Sequence, residues 1–434
     1  MELMELYRQN TLLPRIVKDF RHQAEELAQL NQAYAIMLTE QGLLSREDGQ
    51  TIHRGIAAVL AEMTEADLDP IKMDLFFNFD SALKARIGAD TAGRLHLGRS
   101  RNDTYHALFR MDMRRAIGEI FAELLETGQL LSEKARDYAD AIIPYYTYGQ
   151  PAQPGTWGHY LLDVYENLLR DMRRLRAAYA NVNRSPMGAA ACTGTLFPID
   201  RRRLAELLGF DGVVEHSLDA VGSTDHFLET ESSFAIVNAT LNKTACDMMF
   251  LSSAECGVLS FDRSICSGSS IMPQKKNSTV IERLRSMTAE YPGYLISTFL
   301  SAGGVTMFPC KDNHEHLFMF WDHHAVLLAE LQLLRLALER STIARDAARE
   351  RVLDGFTTAA AMAENLARET SIPFTRMHDV VVEMVTDLHK SGRLRPENMT
   401  GALMDRAAEK VLGHPLGLTD DDIRRRMDPA ESLK

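Results

Sequence analysis

The stretch Ser267–Ser278, reading SGSSIMPQKKNS, gathers adjacent hydroxyls, two lysines and an asparagine behind one glycine. A glycine followed by two serines lets the backbone turn and approach a ligand closely without steric cost. Lys275 and Asn277 then offer a cation and an amide at alternate positions, a pairing that suits a carboxylate or a developing oxyanion.

Two other polar stretches carry similar potential. In LHLGRSRNDT, Leu95–Thr104, Arg99 and Arg101 flank Ser100, and Asn102 and Asp103 come next, where a helical pattern begins. A helix start presents free N–H groups, and guanidinium forks beside it bind a carboxylate bidentately. In YYTYGQPAQP, Tyr145–Pro154, the hydrogen-bond formers are Thr147, Tyr148, Gln150 and Gln153. That segment alone says little, since Gln/Pro-rich turns are common.

The elements that must position these stretches are helical. Met113, Ile117, Ile120 and Leu124 recur at helical spacing, as do Phe234, Val237, Leu241, Ala245 and Met248, and again Leu327, Leu331, Leu334 and Leu338. Such stripes mark amphipathic helices packed as a bundle. Strand alternation bounded by hairpin turns is hard to find, so the expected fold is all-α. Polar or Gly/Pro-bearing breaks fall at Leu95–Ser100, Ile143–Gly155, Arg184–Pro198, Ser260–Ser278 and Gly303–Asn313. Asp200 is expected to cap a helix ending at Gly209. The long stripes occupy the middle of the chain. We therefore expect a small helical domain over 1–95, a central helix bundle over 96–345 and a C-terminal helical domain over 346–434.

Composition narrows the class. At 434 residues the chain exceeds one ordinary core. With 25% charged and 45% hydrophobic residues it has globular usage. A net charge of −12 argues against nucleic acid or an anionic membrane as partner. The opening MELMELYRQN predicts no secretory leader. No apolar run approaches the roughly 18 residues of a membrane span. Five scattered cysteines without CxxC pairing fit a reducing cytoplasm.

Taken together, the three segments resemble the argininosuccinate lyase branch of the fumarase/aspartase superfamily. LHLGRSRNDT is similar to that branch's HTGRSRND motif and YYTYGQPAQP to YTHLQ.AQP. Further likeness runs through GTLFPID at Gly194–Asp200, SLDAV at Ser217–Val221 and GSSIMPQKKN at Gly268–Asn277. The resemblance implies three helical domains, and a homotetramer whose active sites each combine the three segments from different subunits. It also implies a small dicarboxylate substrate that loses fumarate, with no cofactor and no metal. By that resemblance Ser269 is the base, working as an alkoxide helped by backbone N–H groups and Lys275. Lys275 and Asn277 hold the aci-carboxylate dianion, while Ser100, Arg101, Asn102, Thr147 and Gln150 bind substrate. A mobile loop closes over the substrate before proton removal.

The departures point to a different leaving group. The family's general-acid histidine is replaced by Tyr148, although its usual glutamate partner is present as Glu282. A tyrosine, ordinarily ionising near about 10, recycles a proton less easily at neutral pH. Ser278 stands where the family has proline, Tyr34 and Phe76 where it has histidines, and Thr224 where it has arginine. The family's YNRDLQEDK becomes PCKDNHEHL at Pro309–Leu317, which leaves Lys311 and His314 as the polar wall of the substrate pocket. Histidines 314, 316, 323 and 324 form no ligand pattern, so they are expected to line the pocket or the helix surface. The expected activity is a cytoplasmic carbon–nitrogen lyase acting on an N-substituted succinate, with a leaving group other than arginine. Argininosuccinate itself and a catalytically inert structural homologue stay open as alternatives.

Overall fold

In a computed structural model of the chain, residues 3–309, 317–393 and 395–433 are described. The fold is all-α, as the helical stripes predict. The N-terminal part contains α1 (Leu13–Glu40), α2 (Arg46–Glu62) and α3 (Leu75–Ile87). Four long helices run through the middle: α4 (Arg101–Asp137), α5 (Trp157–Val182), α6 (Asp225–Leu251) and, after α7 (Thr279–Thr288) and α8 (Tyr291–Gly303), α9 (Leu317–Glu339). Helix α10 (Arg345–Asp354) leads into shorter helices between Ala359 and Met427.

The stripes bury as their spacing requires. Met113, Ile120 and Leu124 on α4, Phe234 through Met248 on α6 and Leu327 through Leu338 on α9 are essentially inaccessible. Each of these side chains except the small Ala245 contributes about 1.5–3 kcal/mol on leaving water. Asp200 accepts from Arg203 N at 2.9 Å and caps the helix Arg201–Leu207, so the expected stop at Gly209 lies within two residues of the observed end.

The chain divides into two compact units. One comprises Met1–Leu124, Arg170–Ala239 and Met287–Glu330; the other comprises Leu125–Leu169, Thr240–Ser286 and Leu331–Lys434. The first has an apolar core built from α1, α2, α3 and the start of α4, joined by Met187, Leu204 and Phe210. The second contains a core drawn from Met362 to Met427.

Short strands appear only as two-stranded antiparallel ladders among the described residues. The break expected at Ile143–Gly155 is in fact a hairpin of β1 (Ile142–Thr147) and β2 (Gln150–Thr156). Its two-residue turn places Tyr148 at φ 52° and Gly149 at φ 75°, the left-handed pair that matches strand twist in a tight hairpin. Strand β3 (Leu259–Phe261) pairs with β6 (Ser341–Ile343), and β4 (Ser267–Gly268) pairs with β5 (Lys276–Asn277).

Of the two described histidines expected at a pocket or surface, His323 and His324, the first departs from that placement. His323 is buried, with Nδ1 3.1 Å from Glu231 Oε1 and its ring stacked on Tyr294. His324 meets Glu119 at 3.1 Å. Among the described residues no group of three or more His, Cys, Asp or Glu could hold a metal ion.

Candidate active site

Helix α4 opens on a reciprocal cap. Ser100 Oγ accepts from Asn102 N at 3.3 Å, and Asp103 Oδ1 accepts from Ser100 N at 2.9 Å. The other oxygen of Asp103 accepts from Gly188 N at 3.0 Å and Ala190 N at 2.9 Å, tying Ser100 to the loop behind it. Burial outweighs these three donors and lifts the Asp103 carboxyl to about 6. Asp103 thus sets the geometry of the segment, and its spacing from Ser100 was the readable signal.

The two arginines part company. Arg101 is exposed and bonds Asp74 Oδ2 at 2.5 Å, with its guanidinium 4.6 Å from the Phe77 ring. Asp74 lies 27 residues upstream, and nothing local in the sequence announces it. Arg99, expected to flank a bound carboxylate, turns inward instead: Nη1 donates to Asn31 Oδ1 at 2.7 Å and the guanidinium packs on Tyr34 and Phe76. Desolvation lowers its pKa to about 10. Arg101 and Asn102 border a cavity of about 470 Å³ that also holds Arg15, Asp19, Asp74 and Tyr105.

In the second unit, the hairpin carries Thr147, Tyr148 and Gln150 at its tip, all facing solvent in the single chain. The Tyr148 side chain is fully exposed and makes no hydrogen bond among the described residues. Pro151 abuts Gly355 so closely that a Cβ there would lie 2.6 Å away.

The Gly/Ser stretch is a loop closed at its neck by β4 and β5, with Ser267 opposite Asn277 and Gly268 opposite Lys276. That ladder brings Ser269 and Lys275 to the two ends of one loop. Ser269 Oγ accepts from Ile271 N at 3.3 Å and Met272 N at 3.0 Å. Lys275 N donates to Met272 O at 3.1 Å, tightening the same turn. The Lys275 side chain is exposed, whereas Lys276 Nζ is tied to Phe261 O. Asn277, Ser278 and, from the first turn of α7, Glu282 line a cavity of about 490 Å³ with Phe250 and Arg285.

The chain therefore groups Ser100, Arg101 and Asn102 in one unit and Ser269, Lys275, Asn277 and Glu282 around one loop in the other. Tyr148 and Glu282 do not pair within the chain. Lys311 and His314 lie outside the described residues.

A lyase family model matches residues 5–293. The argininosuccinate lyase of Methanosarcina barkeri is 32% identical over 405 residues, covering 93% of this chain and 81% of that one. That of Thiobacillus denitrificans is 37% identical over 365 residues, covering 83% and 78%. The chain belongs to the argininosuccinate lyase branch of the fumarase/aspartase superfamily. An EDDS lyase variant solved with bound fumarate superposes on this lyase with a TM-score of 0.86 at 28% identity, covering 99% of this chain and 84% of that one. A class II fumarase from Schistosoma mansoni shares the fold at a TM-score of 0.77 and 16% identity, covering 98% and 92%. The protein is accordingly an enzyme, a carbon–nitrogen lyase. No helix among its described residues is long and apolar enough to cross a membrane.

Within this lyase, Tyr34 and Phe76 stand where the resemblance expects histidines, and both pack on Arg99. Two imidazoles are thereby exchanged for an aromatic clamp beside Ser100.

Proposed function

We propose that this carbon–nitrogen lyase releases fumarate from an N-substituted succinate whose leaving group is not arginine. Ser269 takes the proton from the carbon beside a carboxylate, the electron pair spreads into that carboxylate, and the C–N bond then breaks. The observation that carries this reading is the pair of backbone N–H bonds onto Ser269 Oγ. A hydroxyl oxygen already facing two donors is stabilised further when it becomes an alkoxide, which lowers the cost of using it as a base. Lys275 and Asn277, on the closing end of the same loop, hold the dianion. Ser100, Arg101, Asn102 and Thr147 hold the carboxylates, with Gln150, Lys311 and His314 completing the pocket.

The sites are shared between subunits of a homotetramer. Solvent exposure of Thr147, Tyr148 and Gln150 supports this, since a pocket made from that tip needs other surfaces to face it. So does the apolar stripe Ile296, Phe299 and Leu300 left exposed on α8. The leaving-group reading is supported by the Tyr34–Arg99–Phe76 clamp and by a tyrosine at the acid's position.

Fumarate absorbance across a panel of N-substituted aspartates, with argininosuccinate included, tests the proposal. Ser269→Ala should lower turnover by about 10²–10⁴-fold, the range for a positioned base. Argininosuccinate as the best substrate would overturn the leaving-group reading. An active Ser269→Ala would overturn the base assignment, and an inactive parent on every succinate would favour an inert homologue.

A further inference from the structure

The base of the β1–β2 hairpin is fitted around one aromatic ring. A Cβ built on Gly155 would lie 2.4–2.8 Å from Cζ, Cε1 and Cε2 of Tyr145, so the ring occupies the space that only a glycine leaves open. The Tyr145 hydroxyl lies 3.0 Å from Thr156 O and 2.9 Å from His159 Nδ1. A carbonyl can only accept, so the single hydroxyl proton goes to Thr156 and His159 Nδ1–H donates to the oxygen. The ring also stacks on that imidazole, centroids 5.9 Å apart at 22°. Burial lifts the phenol to about 12, which keeps its proton in place.

The next residue is anchored on other partners. Tyr146 meets Phe250 edge-on at 4.9 Å, and its hydroxyl lies 3.4 Å from Cys256 Sγ. The register slips between Tyr145 and Tyr146, a bulge of the kind that re-aims the residues beyond it. Thus the hairpin is held at its base and at Pro151, while Thr147, Tyr148 and Gln150 at its tip face solvent.

We propose that Tyr145 is a positioning residue: seated on Gly155 and clipped between Thr156 and His159, it sets the angle at which Thr147 and Tyr148 enter the shared site. This rests on the function proposed above. From Tyr145 to the tip is about 10 Å of strand, so a 10° change at the base moves the tip by about 2 Å. Displacements of about 1 Å can cost 10²-fold in rate.

The test is a clash-and-rescue series of variants in the whole chain. Tyr145→Phe keeps the ring and removes the clip; kcat should fall about tenfold, with KM within about twofold and Tm within a few degrees. Gly155→Val drives the ring off and should lose more. Tyr145→Ala combined with Gly155→Val removes the clash and should recover at least about tenfold over Gly155→Val alone. An unchanged kcat in Tyr145→Phe, a double variant no better than Gly155→Val, or losses that simply track Tm would overturn the proposal. Amide hydrogen exchange over residues 146–151 separates its failure from that of the function. If the parent releases no fumarate, faster exchange in Tyr145→Phe at unchanged Tm still supports the positioning role, and unchanged exchange overturns it.

Discussion

Arg99 lies over the ring of Tyr34, with its guanidinium 5.0 Å from the ring centroid and Phe76 at 5.5 Å on another side. The Tyr34 hydroxyl donates to Leu97 O at 2.7 Å, so one side chain holds both the arginine and the chain leading to Ser100. Tyr34→Phe should cost about 1 kcal/mol, the value of one hydrogen bond. Tyr34→Ala removes the clamp and opens a cavity, for about 3–5 kcal/mol. Urea denaturation measures both. Because Ser100 adjoins Arg99, KM for the succinate should rise in Tyr34→Ala even in fully folded protein. An unchanged KM there would detach the clamp from the site.

How much of this was legible in the chain depends on range. The stripes on α4, α6 and α9 were readable because helical burial repeats locally, and Asp200 because a cap acts three residues away. The reciprocal cap of Ser100 and Asp103 belongs to the same class. The hairpin at Tyr145–Pro154 hid behind its prolines and glutamines; the clue was Gly149 after three β-formers. Arg99 and Arg101 read alike in sequence, yet residues 68 and 27 positions upstream, Asn31 and Asp74, draw them apart. The seat of Tyr145 on Gly155 was invisible for a related reason: it depends on a register slip that no spacing rule announces.

Asp112 predicts how stability varies with pH. It is buried on α4, accepting from Gln23 Nε2 at 2.5 Å and Arg115 Nη2 at 2.9 Å. Burial, reinforced by Glu26, lifts its carboxyl to about 7 against the weaker pull of Gln23 and Arg115. An acid whose pKa is higher folded than unfolded makes the native state bind the extra proton. Stability is then greatest below the unfolded value and falls as pH rises through the folded one. Between pH 5 and pH 8 the Asp112 share should be about 1–3 kcal/mol, read by urea denaturation at each pH. Asp112→Asn should flatten the slope without abolishing it, since Asp103 and Glu330 are lifted in the same direction. A variant as steep as the parent would show that Asp112 is charged throughout.

Tyr148 tests the leaving group most directly. It occupies the acid's position in the family pattern, yet it sits at the hairpin tip with φ 52° and no hydrogen bond among the described residues to hold its hydroxyl. An elimination whose nitrogen departs as a weak base needs little protonation, so the site can work without a fixed donor. Tyr148→Phe should therefore keep turnover of the native substrate within about threefold, while N-substituted aspartates with strongly basic amines stay poor in parent and variant alike. Steady-state fumarate release against leaving-group basicity is the measurement. A loss of several hundredfold, the scale of a general acid, would make Tyr148 the donor. It would also return basic amines, arginine among them, to the range of leaving groups this pocket can release.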